Sequence, residues 1–176
     1  MKLTIAVDDF SGGAGKIAQL LSLEATKQGH DVTLLLARRK SSPRFDLSSM
    51  NVRDILQGQQ ITEKNILPAV FAVRSYLKMN SPDLFISFIH NINIISGLAH
   101  IGFKTPLIVS ERADPVQNEL NRLWRILRYF AYRRANKITV LFDAFKNFAD
   151  GRYKHKVITI HNPVLAPPLV KPLGQQ

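Results

Sequence analysis

Apolar residues in this chain fall in short β-branched runs separated by stretches with helical spacing. "LTIAV" (Leu3 to Val7) reads as a fully buried strand. In the helix that follows, Ile17, Leu20, Leu21 and Ala25 recur at i, i+3, i+4 and i+8, which predicts a single core-facing stripe. "KQGHDVTLLLA" places a helix stop at Gly29 and a second buried strand from Val32. A polar, basic loop "RRKSSPRFDLSS" then leads to a short strand near 51–55, a helix around 63–79, a strand in "DLFISFI" and a helix across 93–101. "PLIVS" is another buried strand, followed by a long helix over roughly 117–135, the strand "KITVLF", a short helix to Asp150 and the strand "KVITI". Continuous apolar strands alternating with helices predict one α/β domain over 1–163, a doubly wound, mostly parallel Rossmann-like sheet with helices on both faces. Residues 164–176, "VLAPPLVKPLGQQ", are Pro-rich and non-periodic and read as a linker or tail.

Composition narrows the function classes. The net charge of +11 predicts attraction to phosphates, whether of nucleic acid, an anionic membrane or a nucleotide. No nucleic-acid recognition motif accompanies the charge, so nucleic acid is not expected as a partner. The absence of cysteine excludes disulfides and thiolate metal sites and suits a reducing cytoplasm. Asp8 and Asp9 end the first apolar run too early for a signal peptide. No apolar run approaches the roughly 20 residues of a membrane span. The expected location is the cytoplasm, with a peripheral position on the inner face of the membrane as an extension.

The stretch "VDDFSGGAGKIAQLL" carries the first candidate chemistry. A nucleoside-triphosphate loop needs glycine, four residues, then Gly-Lys and a hydroxyl residue. Phe10 occupies the first glycine position and Ile17 the hydroxyl position, so that reading fails at both ends. The dinucleotide spacing also fails, and a phosphoryl-accepting receiver domain would need an aspartate where Phe88 stands. What survives is a glycine turn between the first strand and first helix, where backbone N–H groups and the helix dipole suit an anion. The glycines either serve that purpose or only permit a tight turn. Asp8 and Asp9 either meet sugar hydroxyls or point away.

Four segments, "SGGAGKIAQLLSLEATKQGHDVTLL", "PDLFISFIHNINI", "KTPLIVSERADP" and "KVITIHNPV", in this order and spacing, resemble the N-terminal domain of family 4 glycosyltransferases of GT-B architecture. The resemblance implies two Rossmann-like domains facing a cleft, the first gripping the acceptor and the second the nucleotide-sugar. By that match Gly12 and Gly13 approach the donor diphosphate, and Asn91, Glu111 and Arg112 contact the acceptor or the sugar. Many members carry a histidine where Arg112 stands, and glutamate where Gly15 stands. For Arg112 the alternative is a salt bridge with Glu111, Asp114 or a neighbour. His90 lies at a strand end where ligands bind in open sheets. His30 reads as a turn residue, and no residue is assigned as nucleophile or base.

The same resemblance implies a retaining, metal-independent transfer with no cofactor, the nucleotide-sugar being a co-substrate. The acceptor is a surface polysaccharide, a lipid-linked glycan or a lipopolysaccharide. "IHNPV" matches the hinge into the second domain, so the C-terminal donor-binding domain is expected to be absent, little turnover is expected of the chain alone, and a separately encoded C-terminal half is a candidate partner. The competing reading is a non-catalytic α/β module, a truncated remnant or a subunit that docks on a membrane or a partner.

"ELNRLWRILRYFAYRRANK" adds a basic surface, with Glu119 its single acidic residue. Its spacing predicts a core stripe of Leu120, Leu123, Leu127 and Phe130. Arg122, Arg125, Tyr129 and Arg133 fall on another face, flanked by Trp124. That face suits an anionic membrane surface, with a solvated helix as the plain alternative.

Overall fold

The computed structural model describes residues 1–38, 41–56, 61–62, 65–113, 120–149 and 153–163. Seven parallel strands form one sheet in the order β3-β2-β1-β4-β5-β6-β7. They are β1 (Lys2–Val7), β2 (Asp31–Leu36), β3 (Asn51–Asp54), β4 (Leu84–Phe88), β5 (Leu107–Ser110), β6 (Lys137–Val140) and β7 (Val157–Thr159). The main helices are α1 (Gly12–Lys27), α2 (Ile66–Asn80), α3 (His90–Ala99) and α4 (Arg122–Arg134). The doubly wound reading holds. The chain builds outward from β1 to β3, returns through α2, and continues on the other side through β4 to β7.

Right-handed crossovers dictate where the helices go. α2, α3 and α4 share one core with Leu35, Phe85, Leu107, Val109 and Ile138. α1 covers the opposite face, packing on Ile5, Val7, Leu34 and Phe88. α3 and α4 approach closely because Gly97 faces Ala131, where an added Cβ would lie 2.6 Å from the Ala131 Cβ. Gly29 stops α1 as expected, and α4 begins at a cap the sequence reading did not assign. Gly29, at φ +82°, follows α1 and its N–H bonds the Thr26 carbonyl. Asn121 caps α4 by accepting from the Trp124 N–H at 3.0 Å.

Several expectations are corrected. α1 buries Ala14, Gly15, Ala18, Gln19, Ser22 and Ala25, whereas Ile17 and Leu20 are only half-buried and Leu21 is exposed. Close approach to the sheet requires small residues on that face, and the bulky stripe is displaced to its edge. On α4 the predicted core stripe also turns outward. Leu123 and Phe130 are exposed, Leu120 and Leu127 are half-buried, and Trp124, Ala131 and Tyr132 take the core positions. Trp124 is therefore not a surface aromatic. α3 starts at His90 rather than near 93, and the element expected up to Asp150 is a 3₁₀ helix over Asp143–Phe148. Glu63, Asp114, Gln117, Glu119, Asp150 and the 164–176 tail lie outside the described residues.

A candidate anion cleft at the carboxyl edge of the sheet

Strand order reverses between β1 and β4, and ligands of open α/β sheets bind beyond the strand ends at such a point. Here that point is flanked by the start of α1, the start of α3 and the residues after β5. Together they enclose a cleft of about 240 Å³ lined by Gly13, Ala14, Ile89, His90, Glu111, Arg112, Ala113 and Asn162. The structure thus brings together Gly13, Glu111 and Arg112 from three separated segments. Gly12 adjoins Gly13. Asn91 is not on the cleft lining; its neighbour His90 is.

Each glycine of the first turn has a distinct job. Gly12 has φ +66°, a left-handed conformation that a side chain would strain. Gly13 is exposed and an added Cβ would meet nothing within 4 Å. Gly15 is buried, and its Cβ would fall 2.5 Å from the Phe10 carbonyl carbon and 2.7 Å from the Asp9 carbonyl oxygen. Gly15 is therefore the packing glycine, while Gly12 and Gly13 leave the helix N-terminus bare. Ser11 does not cap α1. Its hydroxyl instead donates to the Asp9 carboxylate at 2.5 Å, and its N–H does so at 2.8 Å.

The two aspartates are held by their own neighbours. Asp9 is buried and held by Ser11. Asp8 accepts from Arg38 Nε at 3.0 Å and Nη2 at 2.6 Å, which offsets its charge. They point into their own partners rather than into the cleft lining.

Arg112 supplies the positive charge. Its Nη1 donates to Asn162 Oδ1 at 2.7 Å, and the guanidinium lies 5.0 Å from the Phe88 ring centre. Its Nε is buried and has no hydrogen-bond partner among the described residues. No ion pair of Arg112 forms among the described residues. The expected alternative of a Glu111 salt bridge is thus corrected: Glu111 is 1% exposed and its carboxylate accepts from the Tyr132 hydroxyl. Burial pushes the Glu111 carboxyl above its ordinary range, with the Tyr132 hydrogen bond opposing. Glu111 shapes the cleft floor while its charged end is occupied beneath it.

His90 is held toward its neutral form first by burial and then by Arg128, with Asp8 pulling the other way. Ile89 precedes it at φ +73°, an outlier for a β-branched residue. Such strain collects where surrounding structure over-determines a ligand-facing segment. Sequence reading missed Ile89, Asn93, Tyr132 and Asn162. Asn93 Oδ1 accepts from Ser87 Oγ at 2.7 Å and its amide donates to the Ser110 carbonyl at 3.0 Å, tying β4 to β5 below the cleft. Asn162 stood within "IHNPV", where a signal was present.

Away from the cleft, α4 turns Arg122, Arg125 and Arg133 to solvent. Between them stand Leu123, Ile126 and Phe130, exposed at 44%, 46% and 53%. An apolar ridge thus borders the basic face. Among the described residues no helix is long and apolar enough to cross a membrane.

Comparison with known proteins follows the same lines. The sequence model of Glycosyltransferase Family 4 matches residues 11–165. A Campylobacter jejuni protein, GalNAc-alpha-(1->4)-GalNAc-alpha-(1->3)-diNAcBac-PP-undecaprenol alpha-1,4-N-acetyl-D-galactosaminyltransferase, is 37% identical over 93 residues, 53% of this chain and 25% of that protein. A glycosyltransferase structure from Rickettsia africae superposes with a TM-score of 0.69 at 14% identity, covering 92% of this chain and 43% of its own. UDP-GlcNAc 2-epimerase from Methanocaldococcus jannaschii gives 0.65 at 13%, covering 90% and 45%. The chain spans less than half the length of these relatives. The structural likenesses establish the fold alone, shared here by a transferase and an epimerase.

Proposed function

Because the chain belongs to glycosyltransferase family 4, we propose that it is the acceptor-side domain of an enzyme moving a sugar from a nucleotide-sugar to a lipid-linked, lipopolysaccharide or surface-polysaccharide acceptor. The observation that carries this reading is the cleft in which the bare N-terminus of α1 at Gly12 and Gly13 meets an Arg112 guanidinium without a carboxylate partner among the described residues. Charge develops on the departing diphosphate as the glycosidic bond breaks. Fixed amide dipoles and a guanidinium stabilise that charge more than equally strong groups in water, because they need no reorientation. Arg112 offers a planar fork suited to a phosphate or a pair of sugar hydroxyls.

Transfer in this reading is retaining and metal-independent, passing through an oxocarbenium-like transition state. Asn91 contributes from the first turn of α3, beside the cleft rather than on its lining. Glu111 acts through the position it gives the β5 end, since Tyr132 occupies its carboxylate. The nucleotide is gripped by a second domain or a separately encoded half, and no cofactor takes part. The exposed arginines of α4 and the apolar ridge beside them hold the domain against an anionic membrane face, a cytoplasmic peripheral location that suits a lipid-linked acceptor.

One observation favours the competing, non-catalytic reading. Among the described residues every carboxylate near the cleft is already engaged: Asp8 by Arg38, Asp9 by Ser11, Glu111 by Tyr132. Transfer of labelled sugar to membrane extracts separates the two. Activity by the chain, alone or with the protein encoded beside it, supports the transferase; none in either arrangement supports the docking module.

A further inference from the structure

At the amino edge of the sheet, opposite the cleft, polar residues of three neighbouring strands line up. Parallel strands buried on both faces are near-continuous apolar runs, and on the α2 face Ala6 and Leu35 follow that rule. Closer to the amino edge the same face turns polar. Register places Thr4 beside Thr33 and Thr33 beside Asn51, one row across β1, β2 and β3. Two residues earlier on that face, Lys2 stands beside Asp31. With Tyr76 and Asn80 of α2, these side chains line a pocket of about 170 Å³. Thr4 Oγ1 and the Tyr76 hydroxyl lie 2.9 Å apart, and both residues are buried. One hydrogen bond between two hydroxyls uses only one of their two protons. The other proton has no acceptor among the described residues. Nor do Lys2 and Asp31 form an ion pair there, so both charges are open to a third group.

We propose that this pocket binds a neutral polyol the size of one sugar residue, at a site separate from the cleft. A polyol hydroxyl both donates and accepts, and the lining offers both functions. Lys2 Nζ and the unspent hydroxyl proton donate, while the Asp31 carboxylate accepts. Asn80 gives its amide N–H to the Tyr76 carbonyl at 2.8 Å, which leaves its Oδ1 as a second acceptor. Met79, 80% exposed at the rim, supplies an apolar surface for the C–H face of a ring. An anion is disfavoured, because Asp31 offsets Lys2 and the pocket lies at the carbonyl end of α2. An apolar ligand would take polar groups out of water and return no hydrogen bond. The site does not depend on sugar transfer.

The probes are D-glucose and D-galactose, epimers that differ at one hydroxyl, each titrated into ¹⁵N-labelled protein. Glycine serves as a zwitterionic control and inorganic phosphate as an anionic one. Asp31→Asn alters an exposed position and Thr33→Val keeps the side-chain shape, so the fold is retained, as circular dichroism would verify. The expected result is saturable amide shifts at Thr4, Thr33 and Asn51 with at least one of the two sugars. Affinity should fall about tenfold in each variant, the order of one lost hydrogen bond. Saturation with neither sugar, unchanged affinity in both variants, or tighter binding of glycine or phosphate at these amides would overturn the proposal. So would sugar-induced shifts confined to Gly12 and Gly13, because the cleft would then be the polyol site.

Discussion

The Tyr132 hydroxyl, on the buried side of α4, donates to the carboxylate of Glu111 at the end of β5. One hydrogen bond therefore ties the helix that presents arginines to solvent to the strand end that carries Arg112. Both partners are buried, and no solvent is at hand to replace a lost bond. Replacing Tyr132 by Phe removes this donor from the buried Glu111 carboxyl, and the expected loss is about 1–3 kcal/mol of stability. Urea denaturation measures it.

Glu111 also gives stability a pH dependence. Its folded-state pKa is raised above the ordinary value near 4.5, chiefly by burial. Its contribution is therefore fully present below that value and is lost as pH rises through the folded pKa. Relative to Glu111→Gln, the wild type should lose stability on going upward from pH 4.5. Melting temperatures of the two proteins across this range test the sign.

His100 works in the opposite sense. It is fully buried, its Nδ1 lies 2.6 Å from the Ser96 carbonyl and its Nε2 has no partner among the described residues. Burial lowers its pKa from 6.5 to about 4. The unfolded chain takes up a proton that the folded chain refuses, so stability falls as pH drops from 6.5 toward 4. At about 1.4 kcal/mol per pH unit the loss approaches about 3 kcal/mol. His100→Phe should remove this dependence, read as the difference between the two stability–pH curves.

The glycines of the first turn should separate by role. Gly15→Ala forces a methyl against the Asp9–Phe10 backbone and should cost about 1–3 kcal/mol. Gly13→Ala meets open space and should melt like the wild type. Thermal unfolding of both variants checks the contrast.

Vesicle flotation tests the α4 surface. The triple change of Arg122, Arg125 and Arg133 to Gln should weaken binding to anionic vesicles on the order of 100-fold, at about 1 kcal/mol per charge. Changing Leu123, Ile126 and Phe130 to Ser should remove the part of binding that survives high salt. Failure of the unmodified protein to float contradicts the membrane assignment.

The strands and their parallel, doubly wound arrangement were legible because buried parallel strands are near-continuous apolar runs. Gly12, Gly13 and Arg112 were legible as candidates, since each sits at the end of such a run. Burial on the helices was less so. Ile17, Leu20 and Leu21 have the period of a core stripe, but period alone does not say whether a neighbour is present to cover it. Leu123 and Phe130 were misplaced for the same reason, Trp124 and Tyr132 having the stronger claim on the interior. The Tyr132–Glu111 bond was not legible, because it joins two elements whose proximity only the packing of α4 on α3 creates.

The central claim is that the amides of Gly12 and Gly13 and the Arg112 guanidinium form one anion site. Its most direct test is a titration of ¹⁵N-labelled protein with UDP, followed by amide chemical shifts. The account predicts saturable shifts at Gly12, Gly13 and Ala14, abolished in Arg112→Gln and not restored by Arg112→Lys. Shifts confined to the arginines of α4, or shifts at the glycines that persist in Arg112→Gln, would contradict it.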